Sequence, residues 1–106
     1  SCEYCVSAHT AIGRKTGLSG QEIQNARAGT SEDIKAAAVV KFANALMDKR
    51  GEVSTTEILT VRNAGVSDAE LVEIITHVGM NFLTNVLGKA SQVEIDFPKV
   101  DLKLAA

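Results

Sequence analysis

A chain of 106 residues with 11 basic and 13 acidic side chains has a formal net charge of −2, so it offers no positive field to attract a phosphate backbone. One tyrosine and three phenylalanines are a poor platform for stacking bases, and nucleic acid is not an expected partner. The longest uninterrupted apolar run, residues 36–40, falls far short of the roughly 18 residues that cross a bilayer, so no membrane partner is expected either. The two cysteines lack the density of a secreted disulfide scaffold and nothing resembles a signal peptide, which makes the cytoplasm the default setting. The length suits one domain over 1–106 that buries roughly 60–70% of its unfolded surface. The sequence opens at Ser1, directly on its most reactive residues, and a further N-terminal segment is expected ahead of it.

In chain order, the first helix is expected over about residues 2 to 16, stopped by Gly17. Ser19 with Glu22 has the S-x-x-E form of a capping box, with Leu18 and Ile23 placed as the apolar staple, and starts a helix over about 20 to 28 before Gly29. Thr30 with Asp33 is a weaker version, opening a helix over about 31 to 50 before Gly51. Ser54 with Glu57, stapled by Val53 and Ile58, starts about 55 to 64, which Gly65 closes. Ser67 with Glu70, stapled by Val66 and Leu71, starts the longest helix, about 68 to 90. No segment has a strand pattern. The expected fold is therefore an all-α bundle of about five helices with short connections.

On the last helix Leu71, Val72, Ile74, Ile75, Val78, Phe82, Leu83, Val86 and Leu87 form an apolar arc wider than one packing face requires. After Gly88 the chain alternates Val93, Ile95, Phe97, Val100, Leu102 and Leu104 with polar residues, apart from Pro98. Such a tail is extended and needs a surface to lie on, either its own bundle or a neighbour's. Together these features predict a homo-oligomer.

The chemistry concentrates in Cys2, Cys5 and His9, a CxxCxxxH array at the start of the first helix, which holds both cysteines of the chain. Side chains three or four apart on a helix share one face, roughly 5–6 Å apart at Cβ, so the sulfurs can meet and His9 can reach Cys5. A thiol attacks only as its thiolate. Amides at the helix N-terminus favour negative charge on both sulfurs, and His9 can take the Cys5 proton or balance its thiolate. A drop of about 1.5 pH units needs roughly 2 kcal/mol, within reach of these effects combined. Dipole and exposure favour Cys2 as the attacking sulfur; the histidine favours Cys5, and a specific base outweighs a diffuse dipole. Oxidation of Cys5 to a sulfenic acid would let Cys2 condense with it and release water. Closing the bridge inside a helical turn is expected to distort that turn and ease reduction.

Other readings stand beside this one. Structural zinc needs a fourth ligand, and three ligands from one helix are poorly disposed for a tetrahedron. The cysteines could be ordinary small core residues, or a thiol pair that exchanges disulfides but handles no peroxide. His77 shares a polar strip with Glu73, Asn81, Thr84 and Asn85; it reads better as a structural histidine than as a second catalytic one. Asn81 and Asn85 are expected to bond backbone or partner-subunit groups, and Met47 and Met80 to fill the core.

Residues 2–9, CEYCVSAH, resemble the signature of the alkylhydroperoxidase AhpD-like branch of the carboxymuconolactone decarboxylase family. Residues 17–22 are similar to that family's turn into its next helix, 70–85 to its long helix with paired asparagines, and 94–98, EIDFP, to its terminal tail. The resemblance implies an all-helical subunit, assembled as a trimer or hexamer, that reduces alkyl hydroperoxides. It implies Cys5 as the peroxide-attacking cysteine, Cys2 as the resolving one and His9 as part of a proton relay. No metal or other bound cofactor is implied; an external dithiol donor, a lipoyl-bearing protein foremost, would restore the thiols. The family relay also uses a glutamate upstream of the first cysteine, a position that would precede residue 1, and neither Glu3 nor Glu22 is put forward in its place. The lactone decarboxylase branch, which works by proton transfer without the cysteine pair, and a non-catalytic helical assembly are the alternatives.

Overall fold

A computed structural model describes residues 2–104, and over these the chain is all-α. Its five helices are α1 (Glu3–Lys15), α2 (Gly20–Arg27), α3 (Ile34–Asp48), α4 (Thr55–Asn63) and α5 (Asp68–Ala90). Four starts fall within a residue or so of the expected positions because the caps are local chemistry. Ser54 and Ser67 each accept from the backbone N–H three residues on, while Glu57 and Glu70 reach back to the cap N–H groups, completing both boxes.

Two expectations are corrected. The helix expected from 31 begins at Ile34, capped by Asp33, whose carboxylate accepts the Ala36 N–H at 2.7 Å. Residues 30–33 stay outside because Glu22 holds them: its carboxylate accepts from the Ser31 hydroxyl and, at 3.2 Å, from the Glu32 N–H. Glu22 is thereby diverted from its own capping box, although Ser19 still accepts the Glu22 N–H at 3.0 Å. At the other end α3 stops at Asp48. The left-handed turn begins on Arg50 (φ 51°) rather than at Gly51 alone, and the Gly51 N–H closes on the Leu46 carbonyl at 2.9 Å.

The main core lies among α3, α4 and α5, where Phe42, Leu46, Val61, Val66 and Leu71 are buried together with Val53 and Ile58 packed against them. Burying side chains of this size contributes about 1.5–3 kcal/mol each, enough to hold the three helices against one another. α1 packs on α2 and on α5, so α5 is the spine that joins the two groups. The Cα radius of gyration is 14.4 Å, against about 13 Å for a compact chain of this length.

α5 is the reason the fold is open. Of its 23 residues only Leu71 is buried, while Val72, Ile75, Met80, Phe82, Leu83, Val86 and Leu87 are exposed. At 100° per residue Val72, Ile75, Gly79, Leu83 and Val86 form one stripe, facing away from the strip of Glu73, His77 and Asn81. By length and mean hydropathy alone α5 also meets the measure of a membrane-crossing helix, although polar residues interrupt its apolar sequence.

Over its described residues the tail straps its own bundle. The Val100 N–H donates to Ser7 Oγ at 2.9 Å, and Ser7 is fully buried beneath it. Arg27 donates to the carbonyls of Asp101 and Leu102 at 2.6 and 3.2 Å. Phe97 meets Tyr4 edge-on, with ring centroids 5.8 Å apart.

Candidate functional site

Cys2 and Cys5 are joined by a disulfide, with Cα atoms 5.2 Å apart. The bridge does not sit inside a helical turn, as the spacing argument supposed. Cys2 is the N-cap, with extended backbone (φ −130°, ψ 102°), and helical geometry begins only at Glu3. Its carbonyl already accepts the Val6 N–H at 3.0 Å, so the first turn stays intact while the sulfur folds back over it. Cys2 Sγ then takes the place of a capping oxygen and accepts the Cys5 N–H at 3.1 Å. The expected distortion of the turn is therefore not how the bridge forms.

The two sulfurs differ in access. Cys2 is buried, 5% exposed, whereas Cys5 is half-buried. Cys5 lines a groove of about 380 Å³ between α1 and α5 together with Tyr4, Ala8, His9, His77, Met80, Asn81 and Thr84. Exposure was expected to favour Cys2; the extended cap instead turns Cys2 inward and leaves Cys5 facing solvent.

His9 lies in this groove and is exposed, but among the described residues it makes no hydrogen bond to either sulfur. Sharing a helix face brings it near Cys5 without closing a contact. The polar group that does reach Cys5 comes from α5: the Asn85 amide donates to Cys5 Sγ at 3.8 Å. Asn81 bonds backbone as expected, donating to the His77 carbonyl at 2.7 Å; Asn85 does not. The signal for Asn85 was present as its place on the polar strip, yet nothing local could say that the strip meets the cysteines 80 residues earlier. His77, read as structural, lines the same groove as Cys5 and His9 and lies 4.0 Å from the Glu73 carboxylate.

The residues between and beside the cysteines anchor the tail. Partial burial, then the Asp96 carboxylate beside it, raises the Tyr4 phenol above its usual value of 10. Glu3 lies 3.5 Å from Lys99 across the same turn. A larger groove of about 900 Å³ runs between α3 and α5, lined by Val39, Met47, Ile74, Phe82 and Asn85, and shares His77 and Asn81 with the cysteine groove. Met47 and Met80 are exposed in these grooves rather than filling the core. No group of three metal-binding side chains comes together among the described residues.

Compared with known protein families, with curated proteins and with solved structures, the chain matches none.

Proposed function

We propose that the chain is a thiol peroxidase or disulfide reductase that cycles Cys2 and Cys5 between dithiol and disulfide. The observation that carries the reading is the asymmetry of the pair: one buried sulfur capping the helix, one sulfur open to a groove.

In the reduced state the Cys5 thiolate attacks the O–O bond of a hydroperoxide. Sulfur gains one oxygen as sulfenic acid, and the alkoxide leaves as alcohol after taking a proton, for which His9 is the nearest candidate on α1. The Cys2 thiol then displaces hydroxide from the sulfenic sulfur, water leaves, and the bridge closes. For reduction an external dithiol attacks the accessible Cys5 Sγ. Cys2 departs as thiolate, its charge met by the Cys5 N–H at the positive end of α1, and the second thiol of the donor frees Cys5. Two electrons pass from the dithiol to the peroxide in each turn.

The CxxCxxxH resemblance supports the alkylhydroperoxidase AhpD-like version of this chemistry, with an alkyl hydroperoxide as substrate, a lipoyl-type dithiol as donor and a cytoplasmic setting. The exposed stripe of α5 supports a homo-oligomer, a trimer or hexamer on the same resemblance. One narrower reading, thiol–disulfide exchange without peroxide, rests on the accessible Cys5 sulfur alone.

The test is mass spectrometry of the reduced protein after stoichiometric hydroperoxide, alongside peroxide consumption by wild type and Cys5→Ser with a dithiol donor. Loss of two hydrogens in the peptide spanning residues 2–5, with turnover abolished in Cys5→Ser, is the expected result. Turnover unchanged in Cys5→Ser would overturn the redox proposal. Thiols inert to peroxide but quick to exchange with a small disulfide would leave the narrower reading.

A further inference from the structure

Asn85 stands four-fifths of the way along the chain from the cysteines, yet its amide is the side-chain donor that meets Cys5 Sγ. We infer that Asn85 is a catalytic residue of the thiol site, whose amide stabilises the Cys5 thiolate when the bridge opens. The inference rests on the redox reading of the cysteine pair and adds to it a charge-stabilising group that the CxxCxxxH array lacks.

In the bridged form Cys5 Sγ is neutral and a weak acceptor, which fits a contact as long as 3.8 Å. Opening the bridge places a full negative charge on the same atom, and a hydrogen bond to an ionised acceptor is shorter and roughly twice as strong as a neutral one. The donor therefore gains most in the state that does the chemistry, the requirement for differential stabilisation. Asn85 is half-buried on the spine helix, where packing of α1 on α5 holds both partners in place. Its neighbour one turn back is not equivalent, because the Asn81 amide is spent on the His77 carbonyl. The two sulfurs thus have separate donors: the Cys5 backbone N–H for Cys2, and the Asn85 amide for Cys5.

The titratable groups that surround Cys5 are Tyr4 and His9 from α1 and His77 from α5, with Asp96 and Lys99 of the tail one contact further out through Tyr4 and Glu3. To isolate the effect of Asn85 the experiment uses the full chain carrying Cys2→Ser, so that one thiol titrates, and follows its thiolate absorbance in the ultraviolet against pH. Adding Asn85→Ala should move the midpoint upward by about half a unit or more. Asn85→Asp, nearly the same shape but with a carboxylate beside the sulfur, should move it further. Iodoacetamide alkylation at a fixed pH below the midpoint should slow in the same order.

Midpoints and alkylation rates equal to those of the Cys2→Ser parent in both variants would overturn the inference, and the nearly isosteric Asp variant keeps the test open if the Ala variant does not fold. The outcome does not depend on turnover: peroxide consumption by the wild-type chain tests the redox reading separately. A flat titration with active wild type removes Asn85 alone, while inactive wild type with a shifted titration removes the peroxidase and leaves the thiolate contact.

Discussion

At the scale of single residues, the site is decided by where one backbone leaves the helix. Cys2 is extended and Cys5 helical, so two chemically identical side chains receive different surroundings, one buried at a cap and one beside a groove. The reductant is therefore expected to be captured on Cys5. With a small aromatic disulfide as trapping reagent, the reduced Cys2→Ser variant should form a mixed disulfide faster than Cys5→Ser, read by the released chromophore; equal rates would count against the assigned asymmetry. Ser7 makes a second residue-scale case. It is fully buried and accepts the Val100 N–H, so Ser7→Ala leaves that donor unpaired and should cost about 1–3 kcal/mol in urea unfolding. The CxxCxxxH pattern disclosed the reactive pair, because spacing along one turn is local. It did not disclose Ser7 or Asn85 as contacts, because their partners lie 93 and 80 residues away.

At the scale of elements, most of the architecture is legible because each start carries its own stop and cap. The complete boxes at Ser54 and Ser67 need only residues within one turn, and sequence alone finds them. The start of α3 was misread for a tertiary reason: Glu22 reaches across to Ser31 and Glu32, leaving Asp33 as the residue free to cap. The same caps set the acid sensitivity. The Lys49 ammonium, then the Ser54 N–H, hold the Glu57 carboxyl at about 2, below its ordinary 4.5. A carboxyl depressed on folding favours the folded state above 4.5 and loses that contribution as pH falls from there toward 2. Glu70, held by Lys35 and the Ser67 N–H, and Glu22, held by Ser31 and the Glu32 N–H, act in the same direction. The urea midpoint should therefore fall on acidification below about pH 4.5, and Glu57→Gln should flatten that fall, as a series of unfolding curves would show. The α3 core offers a larger effect: Phe42, buried between α4 and α5, should cost about 3–5 kcal/mol on replacement by Ala.

At the scale of the whole molecule, the chain is a spine with two groups of helices attached and one apolar flank uncovered. Contiguous patches of this kind on single chains seldom exceed about 300–600 Å², and larger ones mark surfaces for another macromolecule. The proposed homo-oligomer predicts a light-scattering mass above 11.2 kDa in solution, and a mass equal to one chain would sink it. Leu83 is 64% exposed, so Leu83→Glu should dissociate the assembly while leaving the helical circular dichroism in place. The width of the arc was visible in the sequence; that the core would take only Leu71 in full, with Ile74 and Val78 at its edge, was not. The tail was legible as extended but not in its destination, since the Arg27 and Ser7 contacts that seat it join distant parts of the chain.

The seat of Tyr4 has a practical result. The chain contains one tyrosine and no tryptophan, so its tyrosine emission arises from a single ring, which meets the Phe97 edge and lines one groove with Cys5. Disulfides quench such emission at close range, and the protein thereby carries its own optical gauge: fluorescence should brighten as an added dithiol opens the bridge and dim again on reoxidation, allowing each half of the cycle to be timed without any label.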